Sequence, residues 1–136
     1  MDTNIYLHFD GNCEEAFKFY EKILRGKIQS LMRFEGSPAA SQVPAEMGNK
    51  VLHARMTIGD KTIMGSDAPP GRYAKPRGFS INIDSKDVGE AERVFSALGD
   101  GGQVHMPIAE TFWAKRFGML VDKFEIPWMV NVEKPM

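Results

Sequence analysis

The sequence has almost no cysteine, no long apolar run and no excess of charge of either sign. Its single cysteine, Cys13, excludes an intramolecular disulfide framework and fits a reducing cytosol. No apolar segment is long enough to span a bilayer, and no charged segment followed by an apolar one indicates a signal peptide. The 17 basic and 18 acidic residues nearly cancel and the basic ones are scattered, which argues against nucleic acid or a membrane surface as a partner. We therefore expect a soluble cytoplasmic protein.

The motifs of common enzyme classes are also missing. The three histidines, His8, His53 and His105, are not accompanied by a nucleophile elbow, so no Ser-His-Asp triad is predicted. The glycine-rich run 99–102 ends a predicted helix, whereas a phosphate-binding loop precedes one. Cys13 lies on a predicted buried helix stripe, where thiols are usually unreactive. These patterns assign no catalytic residue.

What the sequence does contain is a repeated pattern of one strand, one helix and three strands. Residues 5–10 alternate between apolar and polar, which predicts a half-buried strand. An apolar stripe with helical spacing follows, with Asn12 and Glu15 as a capping box and Gly26 at its end. Further strands are predicted at residues 27–34, 51–58 and 61–65.

The same pattern restarts after a segment rich in proline and glycine, residues 66–78. Residues 79–84 alternate as the first strand does, and Asp87 and Glu90 form a second capping box. Corresponding positions of the two halves lie about 74 or 75 residues apart. Further strands are predicted at 103–108, 117–121 and 128–132. The sequence therefore predicts a single α+β domain, 1–136, with βαβββ modules at 1–67 and 79–136 and a linker at 68–78.

Polar side chains occupy the strand faces that the predicted helices leave uncovered. Because each helix is expected to cover one face of its sheet, Tyr6, His8 and Asp10 should share the opposite face of the first module. By the same alternation, Asn82, Met129 and Asn131 should lie on the corresponding face of the second. Two such sheets side by side would enclose a cleft lined by these side chains.

The segment 110–131 is rich in large aromatic side chains. It contains both tryptophans, Trp113 and Trp128, with one acid, Glu110, at its start. Large flat side chains near a few polar groups are typical of a small-molecule pocket, although the same rings could fill a hydrophobic core.

Some charged residues have two interpretations that the sequence leaves open. His53 shares a predicted strand face with Arg55, and the two could join an anion-binding group or form an ordinary polar face. Glu110 could contact a ligand amine or position a water, and Asp67 lies where the linker begins; both could also be ordinary surface carboxylates.

Three strings resemble the PhnB-like branch of the vicinal-oxygen-chelate superfamily, which includes glyoxalase I, bleomycin-resistance proteins and extradiol dioxygenases. They are YLHFDGNCEEAFKFY, HARMTIGDKTIMGSDA and ETFWAKRFG followed by VDKFEIPWMVN. The resemblance covers nearly the whole chain and implies two βαβββ modules that form a curved sheet around a cleft, in a homodimer. Two turns depart from the pattern of this branch. Glu125 replaces a usual glycine, and Arg25 precedes Gly26 where a glycine pair or Leu-Gly is common.

Enzymes of this superfamily typically chelate a divalent metal with His and Glu side chains from both modules. The corresponding positions lie at or near Ile5, Met64, Gly78 and Met129. None of these supplies a histidine or a carboxylate, so the resemblance predicts no catalytic metal and no other cofactor. A displaced metal site formed by His8, Asp10 and Glu110 is the alternative.

We therefore expect a PhnB-like protein that binds a small molecule in its cleft without the usual metal. The expected ligand-binding residues are Tyr6, His8, Asn82, Glu110, Trp113, Met129 and Asn131. The alternatives are a metal-dependent glyoxalase-like lyase, isomerase or dioxygenase, and a plain dimeric structural module. Proteins of this branch have often been labelled 3-demethylubiquinone methyltransferases, but the sequence lacks the glycine-rich first turn of a doubly wound sheet that usually holds S-adenosylmethionine.

Overall fold

The alternating strands and amphipathic helices form the same order of elements twice. The computed structural model describes residues 1–135, and the chain divides into a first unit, Met1–Ala74, and a second unit that begins at Lys75. The first unit contains β1 (Ile5–Phe9), α1 (Cys13–Leu24), β2 (Lys27–Arg33), β3 (Val51–Ile58) and β4 (Lys61–Asp67). The second contains β5 (Ile81–Asp84), α2 (Val88–Gly99), β6 (Gln103–Ala109), β7 (Ala114–Val121) and β8 (Pro127–Glu133). The predicted α+β fold of two βαβββ modules is confirmed.

Both sheets have four strands and the same topology. The strand order is β1-β4-β3-β2 in the first sheet and β5-β8-β7-β6 in the second. In each sheet the leading strand pairs in parallel with the last strand, and the remaining pairs are antiparallel. Neither α1 nor α2 is long and apolar enough to cross a membrane, and no other helix lies within residues 1–135 that could do so.

The core of the first unit lies between α1 and one face of its sheet. Leu7 and Phe9 of β1 are buried there, as the alternation predicts. Phe17 and Tyr20 of α1 are also fully buried. Phe17 packs directly on Gly65, where an added Cβ would lie 2.9 Å from the ring. Burial of side chains of this size contributes about 1.5–3 kcal/mol each.

The core of the second unit is built in the same way. Phe95 of α2 packs on Gly118 of β7, where an added Cβ would lie 2.6 Å from the ring. Trp128 and Val130 of β8 are buried. Of the two tryptophans, Trp128 therefore fills the core, whereas Trp113 is 47% exposed.

The N-terminus of α1 is capped differently from the prediction. Asn12 makes no side-chain capping bond, so the Asn12–Glu15 box is wrong. Asp67, at the end of β4, accepts hydrogen bonds from the backbone amides of Cys13 and Val51, both at 2.9 Å. Asp67 is 2% exposed, so its interpretation as a surface carboxylate is also wrong. The carboxylate satisfies an amide at the helix start and one at the start of β3.

In α2 the Asp87 carboxylate accepts from the Glu90 amide at 3.0 Å, as predicted. The Glu90 carboxylate accepts from the Ser85 hydroxyl at 2.8 Å, although a capping box would bring it to the Asp87 amide. The predicted box at this helix is therefore half formed.

The two turns that depart from the family pattern hold their non-glycine residues in the left-handed region. Arg25 has φ 53° and Glu125 has φ 71°, and within residues 1–135 no other non-glycine residue has positive φ. Gly26 follows Arg25 and is required for close packing, because an added Cβ would lie 2.9 Å from the Thr57 carbonyl oxygen. Left-handed backbone costs an L-residue about 1–2 kcal/mol.

Some predicted boundaries differ from the observed ones because tertiary contacts extend the strands. β4 continues through Asp67, which pairs with Phe9, and so extends two residues beyond the predicted strand 61–65. β7 begins at Ala114, which pairs with Glu133, and not at Phe117 as predicted.

Candidate functional site

The sheet face opposite the helix, which we call the open face of each unit, carries most of the candidate residues. In the first unit Tyr6 and His8 lie on this face, because Leu7 and Phe9 between and beside them pack against α1. The register pairs Tyr6 with Met64 and His8 with Ser66. Asp10 is exposed and follows the end of β1.

Tyr6, His8 and His53 form an aromatic cluster on the open face of the first unit. The Tyr6 hydroxyl oxygen lies 3.2 Å from Nδ1 of His53. The Tyr6 ring centroid is 5.2 Å from that of His8 and 5.7 Å from that of His53. Tyr6 is 39% exposed, so the cluster offers an accessible ring surface beside titratable nitrogens.

Arg55 continues this surface on β3. Its Nη1 lies 3.6 Å from Sδ of Met64, a weak acceptor. The register places Met64 between Tyr6 on β1 and Arg55 on β3. Sequence reasoning placed His53 and Arg55 on a common face but did not join them to Tyr6, because that step requires the strand order β1-β4-β3.

The open face of the second unit is mainly apolar, with amide groups along one side. Asn82 of β5 pairs with Met129, and Met129 pairs with Met119 of β7, which in turn pairs with Met106. The adjacent row runs from Asp84 through Asn131 and Phe117 to Ala109. Flexible thioether side chains adapt to ligands of different shape.

Asn131 is the most unusual polar residue of this face. Its Nδ2 donates to Asp84 Oδ1 at 3.2 Å. Its Oδ1 is buried and, within residues 1–135, has no hydrogen-bond partner. Flipping the amide would turn its oxygen toward the Asp84 carboxylate, which is unfavourable. A buried acceptor without a donor costs about 1–3 kcal/mol.

Trp113 lies just before β7 and contacts the same face. Its ring centroid is 5.4 Å from that of Phe117, which pairs with Asn131. It is also 4.8 Å from the ring of Phe112, which is 89% exposed. The structure therefore brings Trp113, Phe117 and Asn131 into one neighbourhood.

Glu110 has a protein partner. Its Oε2 lies 3.0 Å from Nζ of Lys134. The hydrogen bond from Lys134 lowers the pKa of the Glu110 carboxyl below its usual value. A ligand amine at Glu110 would compete with Lys134.

The buried carboxylate of Asp122 and the buried thiol of Cys13 belong to the interior of the fold. The Asp122 carboxylate accepts from the Phe124 and Ile126 amides and from Trp128 Nε1, at 2.8–3.0 Å, and so holds the turn between β7 and β8. Burial, followed by the nearby Asp67 and Glu14 carboxylates, raises the pKa of the Cys13 thiol far above neutrality. Sequence reasoning did not single out Asp122.

The residues of the usual superfamily metal site do not fit a divalent cation. The positions of Ile5, Met64, Gly78 and Met129 provide no imidazole or carboxylate. Over residues 1–135, no group of three or more His, Cys, Asp and Glu side chains is arranged to hold a metal ion. His8 and Asp10 belong to the first unit and Glu110 to the second.

A depression of about 460 Å³ lies beside the end of α2. Its lining residues are Phe95, Ser96, Ala97, Gly99, Asp100 and Val104. It lies next to the helix and contains none of the candidate residues.

Comparisons with known proteins identify close relatives along the whole chain. The family model described as 3-demethylubiquinone-9 3-methyltransferase matches residues 2–131. Protein YjdN of Escherichia coli strain K12 is 37% identical over 142 residues, which cover 98% of this chain and 97% of YjdN. The crystal structure of protein PA1353 from Pseudomonas aeruginosa matches with a TM-score of 0.90 and 41% identity, over 99% of both chains.

Solved structures of lower identity share the fold. The PhnB protein from Bacillus cereus is 24% identical with a TM-score of 0.83, over 97% of this chain and 99% of that one. A glyoxylase/bleomycin resistance protein/dioxygenase domain from Frankia sp. EAN1pec is 11% identical with a TM-score of 0.69, over 98% of both chains. Likeness at these identities shows the fold alone.

Proposed function

We propose that this chain, which belongs to the family described as 3-demethylubiquinone-9 3-methyltransferase, binds a small molecule on the open faces of its sheets. This family is the PhnB-like branch of the glyoxalase/bleomycin-resistance/dioxygenase superfamily. Tyr6 and His8 would contact the ligand from the first unit. The contacts from the second unit would be Asn82, Glu110, Trp113, Met129 and Asn131. That both open faces border a common cleft stays a prediction.

The observation that carries this proposal is the buried oxygen of Asn131. It lacks a donor within residues 1–135, because its neighbours Phe117 and Met129 are apolar and its other cross-strand partner, Asp84, accepts from Nδ2. A side chain kept for stability alone would favour an apolar residue of the same size at such a position. A ligand N–H or O–H that reaches Oδ1 would remove this cost and gain specificity, since buried polar groups reject analogues that lack the matching donor.

The composition of the open faces supports the same function. Ligand sites are mostly apolar and aromatic, with a few placed polar groups. Methionines and aromatic rings with isolated histidine and asparagine side chains match that description. We do not extend the proposal to methyl transfer, because the two mixed sheets described for residues 1–135 lack the doubly wound parallel arrangement that usually holds S-adenosylmethionine.

Thermal unfolding in the presence of a metabolite library tests the proposal. A ligand at about a hundredfold excess over its Kd stabilises the folded protein by about 2.7 kcal/mol. We expect at least one compound to raise the melting temperature in a concentration-dependent way. A library of broad chemistry that shifts nothing would contradict the proposal.

Variants then locate the bound compound. Trp113→Ala and His8→Ala should reduce the ligand-induced shift, because both side chains are exposed on or beside the open faces. Phe79→Ala is the matched control, since this ring is 50% exposed but precedes β5 and contributes no open-face residue. Unchanged binding in the Trp113 and His8 double variant would remove these residues from the site.

A metal-dependent lyase, isomerase or dioxygenase remains the alternative. Metal analysis of protein prepared without chelators tests it. If the protein carries a stoichiometric transition metal that is lost in a His8→Ala variant, the metal-free proposal is wrong and the metal-dependent enzyme is supported.

We further propose that the protein is a homodimer, as the resemblance implies. Val104 and Met106 on β6 and Phe112 are large apolar side chains that are exposed in the single chain. Light scattering after size-exclusion chromatography should give twice the 15.2 kDa chain mass. A mass of one chain across the accessible concentration range would contradict this.

A further inference from the structure

The open face of the first unit carries positive charge and no carboxylate. Its charged or titratable residues are Tyr6, His8, Lys27, His53 and Arg55. None of the positions that β1 to β4 place on this face is an aspartate or a glutamate. The only acid in these strands, Asp67, is buried at the start of α1. The chain as a whole is nearly neutral, so this imbalance is local.

Among residues 1–135, Arg55 forms no ion pair with a carboxylate. The ion pairs formed among residues 1–135 involve other cations, and the hydrogen bond that the Arg55 guanidinium forms there is a weak one to the Met64 thioether. By contrast, Arg33 of the neighbouring β2 is paired with Glu14 at 2.9 Å. The donors of Arg55 therefore remain available, and the planar guanidinium matches the geometry of an oxyanion.

The Tyr6–His53 pair supplies a further donor beside this position. If the hydroxyl donates to Nδ1, the imidazole keeps its proton on Nε2. If Nδ1–H donates, the hydroxyl proton is free. In either arrangement one N–H or O–H remains for a ligand. The Tyr6 and His8 rings and the half-exposed Met32 provide apolar surface around these donors.

We propose that the open face of the first unit is an anion subsite, in which Arg55, with Tyr6 and His53, binds a carboxylate or similar oxyanion carried on an apolar body. This inference rests on the proposed small-molecule function and specifies the charge of the ligand. Under this proposal Arg55 and His53 bind the oxyanion. Asn82, Met129 and Asn131 of the second unit do not take part in that contact.

Benzoate and benzamide are suitable probes, because they have nearly the same shape and differ in charge. NMR of the three histidine rings reports the site directly. Benzoate should shift the resonances of His8 and His53, since both rings lie in the cluster around Tyr6. His105, on β6 of the second unit, is the internal control and should not move.

Arg55→Met should weaken benzoate binding about tenfold or more, which is the usual size of a charge-assisted hydrogen-bond contribution. Arg93→Met removes the same charge from an exposed position of α2 and should have no effect. Arg55→Lys keeps the charge but not the planar donors, so it should weaken benzoate binding less than Arg55→Met and more than Arg93→Met.

Three outcomes would overturn the inference. These are equal shifts at all three histidines, equal weakening by Arg55→Met and Arg93→Met, and benzamide binding as tightly as benzoate. If benzamide or a library compound still perturbs open-face resonances, the proposed binding function stands while the anion subsite fails. If no compound perturbs the resonances of His8 and His53 and none raises the melting temperature, the proposed function fails as well.

Discussion

Replacement of Asn131 by leucine should stabilise the protein, which is an unusual expectation for a polar-to-apolar change at a half-buried strand position. The variant removes the buried Oδ1 that has no donor within residues 1–135. Removing such an acceptor gains about 1–3 kcal/mol. It also removes the bond from Nδ2 to Asp84, a partly exposed contact worth about 0.5–1.5 kcal/mol. The backbone hydrogen bond from the Ser85 amide to the Asn131 carbonyl is retained.

The balance is a gain of about 1 kcal/mol in the free energy of unfolding. For a chain of 136 residues this corresponds to an increase of about 3–4 °C in melting temperature. Urea unfolding followed by circular dichroism measures the free energy, and calorimetry measures the temperature. Asn82→Leu is the matched control, because Asn82 lies on the same face but is exposed and should change stability by less than about 0.5 kcal/mol.

A free energy of unfolding that is lower for Asn131→Leu than for Asn82→Leu would contradict this prediction. That result would mean that Oδ1 already has a donor in solution, such as an ordered water. The oxygen would then be no evidence for a ligand.

Three further predictions concern the scaffold. Asp67→Ala should lower the free energy of unfolding by about 2–4 kcal/mol, because it leaves two buried amides unpaired. A loss below about 0.5 kcal/mol in urea unfolding would mean that Asp67 acts as an ordinary surface carboxylate. The hydrogen bond from Arg33, with a second from Lys18, lowers the pKa of Glu14 from 4.5 to about 2, so its contribution is present above about pH 4.5 and is lost as the pH falls toward 2. Glu14→Gln should therefore cost less than about 1 kcal/mol at neutral pH and nothing near pH 2, whereas a constant cost across this range would refute the assignment. Arg25→Gly and Glu125→Gly should each raise stability by up to about 1 kcal/mol, because glycine relieves the positive φ, and a loss at either turn would show that its side-chain contacts outweigh the strain.

Local patterns predicted the fold well because they report directly on burial. The alternation at β1 placed Leu7 and Phe9 against the helix and Tyr6 and His8 on the other side, as the structure has them. The apolar stripes of both helices and the repeat between the halves predicted the two βαβββ modules. Composition alone was not enough for the aromatic-rich segment, because it does not say whether a ring fills the core or lines a pocket. The alternation of side chains along the strand is needed to place Trp128 in the core.

The features that sequence reasoning missed all depend on contacts between distant parts of the chain. Asp67 caps a helix that begins 54 positions earlier. The sequence next to the helix start therefore predicted Asn12 and Glu15 as the capping residues, which was wrong. The approach of Tyr6 to His53 requires β4 to lie between their strands. The orphaned oxygen of Asn131 depends on what surrounds one atom, which no pattern of residue types encodes.

Methyl NMR of protein carrying ¹³C-methyl methionine tests ligand binding on the open faces most directly. Five methionines lie on these faces, namely Met32, Met64, Met106, Met119 and Met129. Met56 and Met47 are buried elsewhere and serve as controls. For a compound that stabilises the protein, we predict shifts at open-face methyl groups, with Met56 and Met47 unchanged. A stabilising compound that shifts Met47 or Met56 while all five open-face methyl groups stay in place would contradict the proposed site.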